Sequence, residues 1–155
     1  GRLIGWLAKV LAEHPDQRRE IVADRSLIPK VIDETLRFEP TGHATARFTM
    51  QDFEAHGVTI PAGSPVLLIA ASANRDPRRW DRPDEYDIHR EDVAHLTFGF
   101  GLHFCLGASL ARLEGRVALD ELLNRFPEWD VDYEGMRLAP TSTVRGWERL
   151  PIVLP

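Results

Sequence analysis

The chain has 155 residues, 43% hydrophobic and 28% charged, which is the composition of an ordinary globular domain long enough to bury a core. A net charge of −5 argues against general nucleic-acid binding, and no apolar run approaches the roughly 20 residues of a membrane-spanning helix. One cysteine, Cys105, excludes an intrachain disulfide framework and suits a reducing compartment such as the cytoplasm.

Gly1-Arg2-Leu3-Ile4 opens in mid-helix with no initiator methionine and no cap, which reads as the continuation of a longer chain. Leu3, Ile4, Leu7, Val10 and Leu11 form one helical stripe, stopped near His14-Pro15. A second helix is predicted from Asp16 towards Ala23. A third starts over Ser26 to Pro29, with proline in its first turn, and Pro40 ends it.

Glu34 and Arg37 lie three apart on that third helix and share a face with Val31 and Phe38, whereas Ile32 and Leu36 lie roughly opposite. Apolar groups on both sides predict a buried helix. A buried ion pair is costly unless its remaining donors and acceptors are satisfied, so a third partner is expected. The commoner alternative is an exposed pair worth ~0.3 kcal/mol.

Next come short strands, predicted at Ala46 to Met50, Val58 to Ile60 and Pro65 to Ile69, around Gly57 and the turn Pro61-Ala62-Gly63. A helix is predicted over Ala108 to Arg125, and strands at Trp129 to Tyr133 and within Val144 to Leu154. The fold class is α+β, mainly helical with short antiparallel sheets. The histidines other than His103 have no metal-ligand spacing and read as solvated or locally satisfied.

Between the strands and the long helix lies the stretch Thr97 to Gly107, which holds the only cysteine among three glycines and three phenylalanines. Leu106, Leu110, Leu113 and Val117 follow at helical spacing. The sulfur is therefore expected just before a helix, where unpaired N–H groups and the dipole favour a thiolate. Gly99, Gly101 and Gly107 allow positive φ angles and the approach of a flat group. Phe98, Phe100 and Phe104 can shield a metal–sulfur bond. The bland alternative is a cysteine packed as a small hydrophobe.

Phe98-Gly-x-Gly-x-His-x-Cys105-Leu-Gly resembles the haem-ligand loop of the cytochrome P-450 family, in its soluble bacterial form. Glu34-x-x-Arg37 running into Arg-Phe-Glu-Pro resembles that family's second signature. Asn74-Arg75-Asp76-Pro77 and Trp80-Asp-Arg-Pro83-Asp84 match the stretch before its meander, with turn-setting roles. The resemblance covers residues 1–155 but only the C-terminal, haem-ligand half of a family domain, so an absent N-terminal half is expected.

The resemblance implies Cys105 as axial ligand to the iron of haem b, with Phe98, Gly99, Gly101, Leu106 and Gly107 around the cofactor. It implies that Arg47 and His103 reach the haem propionates, as charge-assisted donors. Glu34, Arg37 and Arg90 form a structural lock beneath the loop. Thr41, Ala44, Thr143 and Val144 are substrate-contact candidates. A thiolate ligand favours O–O cleavage, so the implied function is a monooxygenase acting on a small apolar substrate. Its electrons would come from a ferredoxin or flavodoxin-type donor, docking near Arg75, Arg78, Arg112 and Arg116. The alternatives are a truncated, non-catalytic haem binder and an apo interaction module that self-associates. Because the haem is sandwiched in the complete family, one face of the helix after Cys105 and the Phe38 side of the Glu34 helix are expected to lack cover, with exposed apolar surface, self-association or partial disorder.

Overall fold

The computed structural model describes residues 1–141 and 144–155. Three helices make the core. Helix α1 (Arg2–Glu13) ends where Pro15 begins α2 (Pro15–Ala23), and a single 3-10 turn (Arg25–Leu27) leads into α3 (Ile28–Phe38). After the strand region and a short helix α4 (Ala70–Ala73), helix α5 (Ala108–Arg125) returns to pack on α1 and α3. Leu7, Val10 and Leu11 of α1, Val31, Ile32 and Leu36 of α3, and Leu119 and Leu123 of α5 form one buried cluster. Gly115 is where the three helices meet most closely. A Cβ there would lie 2.9 Å from Ile32 and 3.1 Å from Leu3.

The strands form four separate antiparallel pairs. Strands β1 (Thr45–Phe48) and β4 (Pro65–Leu68) pair with Thr45 opposite Leu68 and Arg47 opposite Val66. Strands β2 (Phe53–Ala55) and β3 (Val58–Ile60) form a hairpin. Its two-residue turn is His56-Gly57, both at positive φ, as a turn matched to strand twist requires. Strands β5 (Asp130–Val131) with β8 (Ile152–Val153), and β6 (Arg137–Leu138) with β7 (Trp147–Arg149), complete the set. They lean on α1: the Trp129 indole donates to the Ala8 carbonyl at 2.8 Å, and the Trp6 and Trp147 rings lie 4.8 Å apart.

The predicted helices stand where expected. Strand β3 spans its expected residues, the other predicted strands are shorter, and β2 and β6 are additional. Only two or three residues long, they owe their form to pairing and carry no alternation of their own.

Candidate functional site

Buried Asn74, just after α4, grips the start of the loop from two sides. Its Oδ1 accepts from the Leu96 amide at 2.8 Å and its Nδ2 donates to Thr97 Oγ1 at 2.9 Å. Thr97 Oγ1 in turn donates to the Leu36 carbonyl of α3 at 2.6 Å. The chain then turns through Gly99 (φ 75°) and Gly101 (φ 68°), values that a side chain would strain. It closes on itself where the Cys105 amide donates to the Phe98 carbonyl at 2.8 Å. Cys105 is thus held by its backbone while its free thiol remains exposed, three residues before α5.

Gly107 departs from expectation. Its φ is −85° at the N-terminal boundary of α5, so no positive angle explains it; a Cβ there would lie 3.9 Å from the Cys105 sulfur.

The thiol opens into an apolar cleft of about 520 Å3. Leu68, Ile69, Phe98, Phe100 and the β1 edge line it, and Arg47, His103 and Ala44 share the lining. The predicted residues Gly101, Leu106 and Gly107 stand outside the lining, in or just after the loop. Thr41 and Val144 line a neighbouring cavity that meets the first at Phe98. Thr143 lies outside the described residues. Phe98 is buried, but Phe100 and Phe104 stand exposed. So does the stripe of Leu106, Leu110, Leu113 and Val117, each more than half accessible.

Beneath the loop, Glu34 and Arg37 are fully buried and pair twice at 2.8 Å. Arg37 places its remaining N–H groups on the carbonyls of Asn74, Pro83 and Glu85. Glu34 accepts further from the Asp87 amide at 3.0 Å and from Arg90 at 3.4 Å. The third partner required by burial is therefore Arg90, with four backbone groups completing the set. Nearby, Tyr86 bonds Thr35 at 3.0 Å, and its burial pushes the phenol well above its ordinary value. Phe38 is covered as well, by the Tyr86 ring at 5.6 Å and the Arg75 guanidinium at 4.0 Å. The expectation of a bare Phe38 side was wrong: the meander folds back over it.

Three of the four arginines read as a basic patch carry acidic partners: Arg75 with Asp84, Arg78 with Asp76, and Arg112 with Asp33. Hydrogen bonds and charge from Arg78 pull Asp76 down to about 2. The patch is correspondingly less positive than its sequence.

Among the described residues no cluster of three or more His, Cys, Asp or Glu could hold a metal. A metal bound at Cys105 must therefore bring its other ligands with it. The open apolar cleft, with one sulfur and two potentially cationic side chains, fits a flat, apolar, anionic-edged metal macrocycle such as haem.

The architecture and the site together are suited to a haem-binding scaffold. Solved structures share the architecture: the post-tailoring hydroxylase HmtN of himastatin biosynthesis superimposes with a TM-score of 0.95 and 42% identity, over 99% of this chain and 42% of that one. The cytochrome P-450 family model matches residues 7–145, and the chain belongs to that family. A putative cytochrome P-450 123 of Mycobacterium tuberculosis is 46% identical over 142 residues, covering 91% of this chain and 35% of the relative. The vitamin D(3) 25-hydroxylase of Pseudonocardia autotrophica is 44% identical over 155 residues, covering 98% and 38%. The chain thus spans between a third and two fifths of the length of these curated relatives.

Proposed function

We propose that this chain, residues 1–155, is the haem-ligand half of a cytochrome P-450 monooxygenase, in which Cys105 would hold the iron of haem b. The observation that supports this most is the sole free thiol, backbone-anchored and exposed at the floor of an apolar cleft. Haem, when bound, supplies the oxygen chemistry by which one atom of O2 enters an organic substrate.

The chain's own residues do the rest. Cys105 provides the electron-donating sulfur. Arg47 and His103 supply charge-assisted hydrogen bonds to the propionates. Phe98, which is buried, and Phe104, its ring centroid 6.3 Å from that of Phe98, would shield the sulfur once haem is bound. The Glu34–Arg37–Arg90 lock holds the floor rigid by leaving no polar group of the pair unsatisfied. Ala44, Thr41 and Val144 would contact a small apolar substrate, with Thr143 a further candidate from the sequence. A ferredoxin or flavodoxin-type donor delivers the electrons, and the cytoplasm is the compartment in which a lone free thiol is kept reduced.

A second reading is favoured by the uncovered stripe on α5. On it, the chain alone binds haem, or a second copy, without turnover. The stripe is the surface on which the N-terminal half of the domain would sit.

The test is haem titration followed by the reduced, CO-bound difference spectrum, with Cys105→Ser alongside. A strongly red-shifted Soret band, absent in the variant, supports the sulfur ligand. A spectrum that Cys105→Ser leaves unchanged refutes it. Product formation with a reductase then separates monooxygenase from carrier, and sedimentation detects pairing of copies.

A further inference from the structure

Asp33 sits beside Glu34 on α3 but makes its contacts away from the lock. Its Oδ1 accepts from two partners that flank the loop in sequence. Arg112, one turn into α5, donates through Nε at 2.8 Å. His95, two residues before Thr97, approaches through Nε2 at 3.4 Å, and its side chain is 1% exposed. The other ring nitrogen, Nδ1, accepts from the Thr97 amide at 3.2 Å. That assigns the proton to Nε2, directed at Asp33. Burial alone would raise the Asp33 carboxyl, but hydrogen bonds from His95 and Arg112, with the charge of Arg112, outweigh it and keep it below its ordinary value.

One carboxylate oxygen therefore ties the strand of chain entering the loop to the helix leaving it. Both partners also touch Phe98: the His95 ring at 5.6 Å between centroids, and the Arg112 guanidinium at 4.8 Å. The Phe98 carbonyl holds the Cys105 amide at 2.8 Å. This clasp spans the loop's two stems and reaches the sulfur's backbone anchor through Phe98.

We propose that Asp33 is a positioning residue for Cys105, acting through His95, Arg112 and Phe98. The proposal rests on the reading of Cys105 as haem ligand, but it makes a claim on the thiol itself. The experiment compares the 155-residue chain with Asp33→Ala, Asp33→Asn and Asp33→Glu. In the haem-free proteins the rate of Cys105 reaction with a neutral aromatic disulfide is measured; after haem loading, the share of the CO difference band at the sulfur-ligated position is measured. Thermal midpoints are recorded throughout.

Asp33→Ala is expected to change the thiol rate several-fold and to lower the sulfur-ligated share. Asp33→Glu, which keeps the carboxylate, restores most of both, and Asp33→Asn falls between. Equal thiol rates in all four proteins overturn the proposal. So does a loss in Asp33→Ala that Asp33→Glu leaves unrestored and that follows the thermal midpoint, because that marks a defect of folding alone. If wild-type chain takes haem but never on sulfur, the ligand reading fails while the thiol rates still decide for or against Asp33.

Discussion

The α3 lock and the face formed by the ligand loop with α5 lie a few residues apart in space yet follow opposite rules. In the lock, every N–H of the Arg37 guanidinium has an acceptor and both partners of the pair are buried. On the α5 face, four large aliphatic side chains and two phenylalanines are exposed. The support for the cysteine is made of satisfied contacts among the described residues, whereas the α5 face offers apolar surface without such cover. Stability and function are therefore separable here by residue choice.

The largest effect should come from breaking the lock. Arg37→Ala strands the Glu34 carboxylate among buried groups and should cost about 3–5 kcal/mol, read as a lower urea midpoint. An unchanged midpoint would mean that the lock contributes nothing to the isolated chain.

Asn74→Ala comes next. It leaves the Leu96 amide without its acceptor and frees Thr97, at about 1–3 kcal/mol. It should also broaden the range of Cys105 reactivity, since the loop's first anchor is gone.

On the other side of the comparison, Leu110→Glu and Leu113→Glu should leave the urea midpoint nearly unchanged, because both positions are exposed. They should reduce the binding of an apolar dye to the chain. A loss of stability like that of the lock variant would show that the face is covered in solution.

A smaller effect concerns acid. The folded Asp33 carboxyl is depressed below its ordinary value near 3.8. Its contribution is therefore present above that value and is lost as pH falls through the lower folded value. Asp33→Asn should lower stability at neutral pH, where the contribution is fully present, and flatten this acid limb of the unfolding curve, bringing variant and wild type together at low pH. Smallest of all, Arg78→Ala removes an exposed ion pair and should be silent in thermal melts.

The glycine-rich cysteine loop, the helix ends at Pro15 and Pro40, and the buried Glu34–Arg37 pair are legible in the sequence, and the family resemblance points to Arg90 as the pair's third partner. Each is local, or follows a motif whose chemistry demands its partners. What escaped it depends on long-range contact. Asn74 read as a turn residue, and nothing local says that its amide reaches 23 positions along to Thr97. His95 read as solvated or locally satisfied, and its Asp33 partner lies 62 positions away. The cover over Phe38 comes from Tyr86 and Arg75, supplied by the meander's return. Gly107 carried the same letter as Gly99 and Gly101 but not the same backbone angle, which only the start of α5 decides.

A lone accessible sulfur also limits what oxidation can do to this molecule. With Cys105 the only thiol, an air-formed disulfide between copies can join Cys105 to Cys105 and nothing else. Such a link places two clefts mouth to mouth and consumes the one group through which further chains could attach. Covalent growth must therefore stop at two, and a reductant would return separate chains with their sulfurs free.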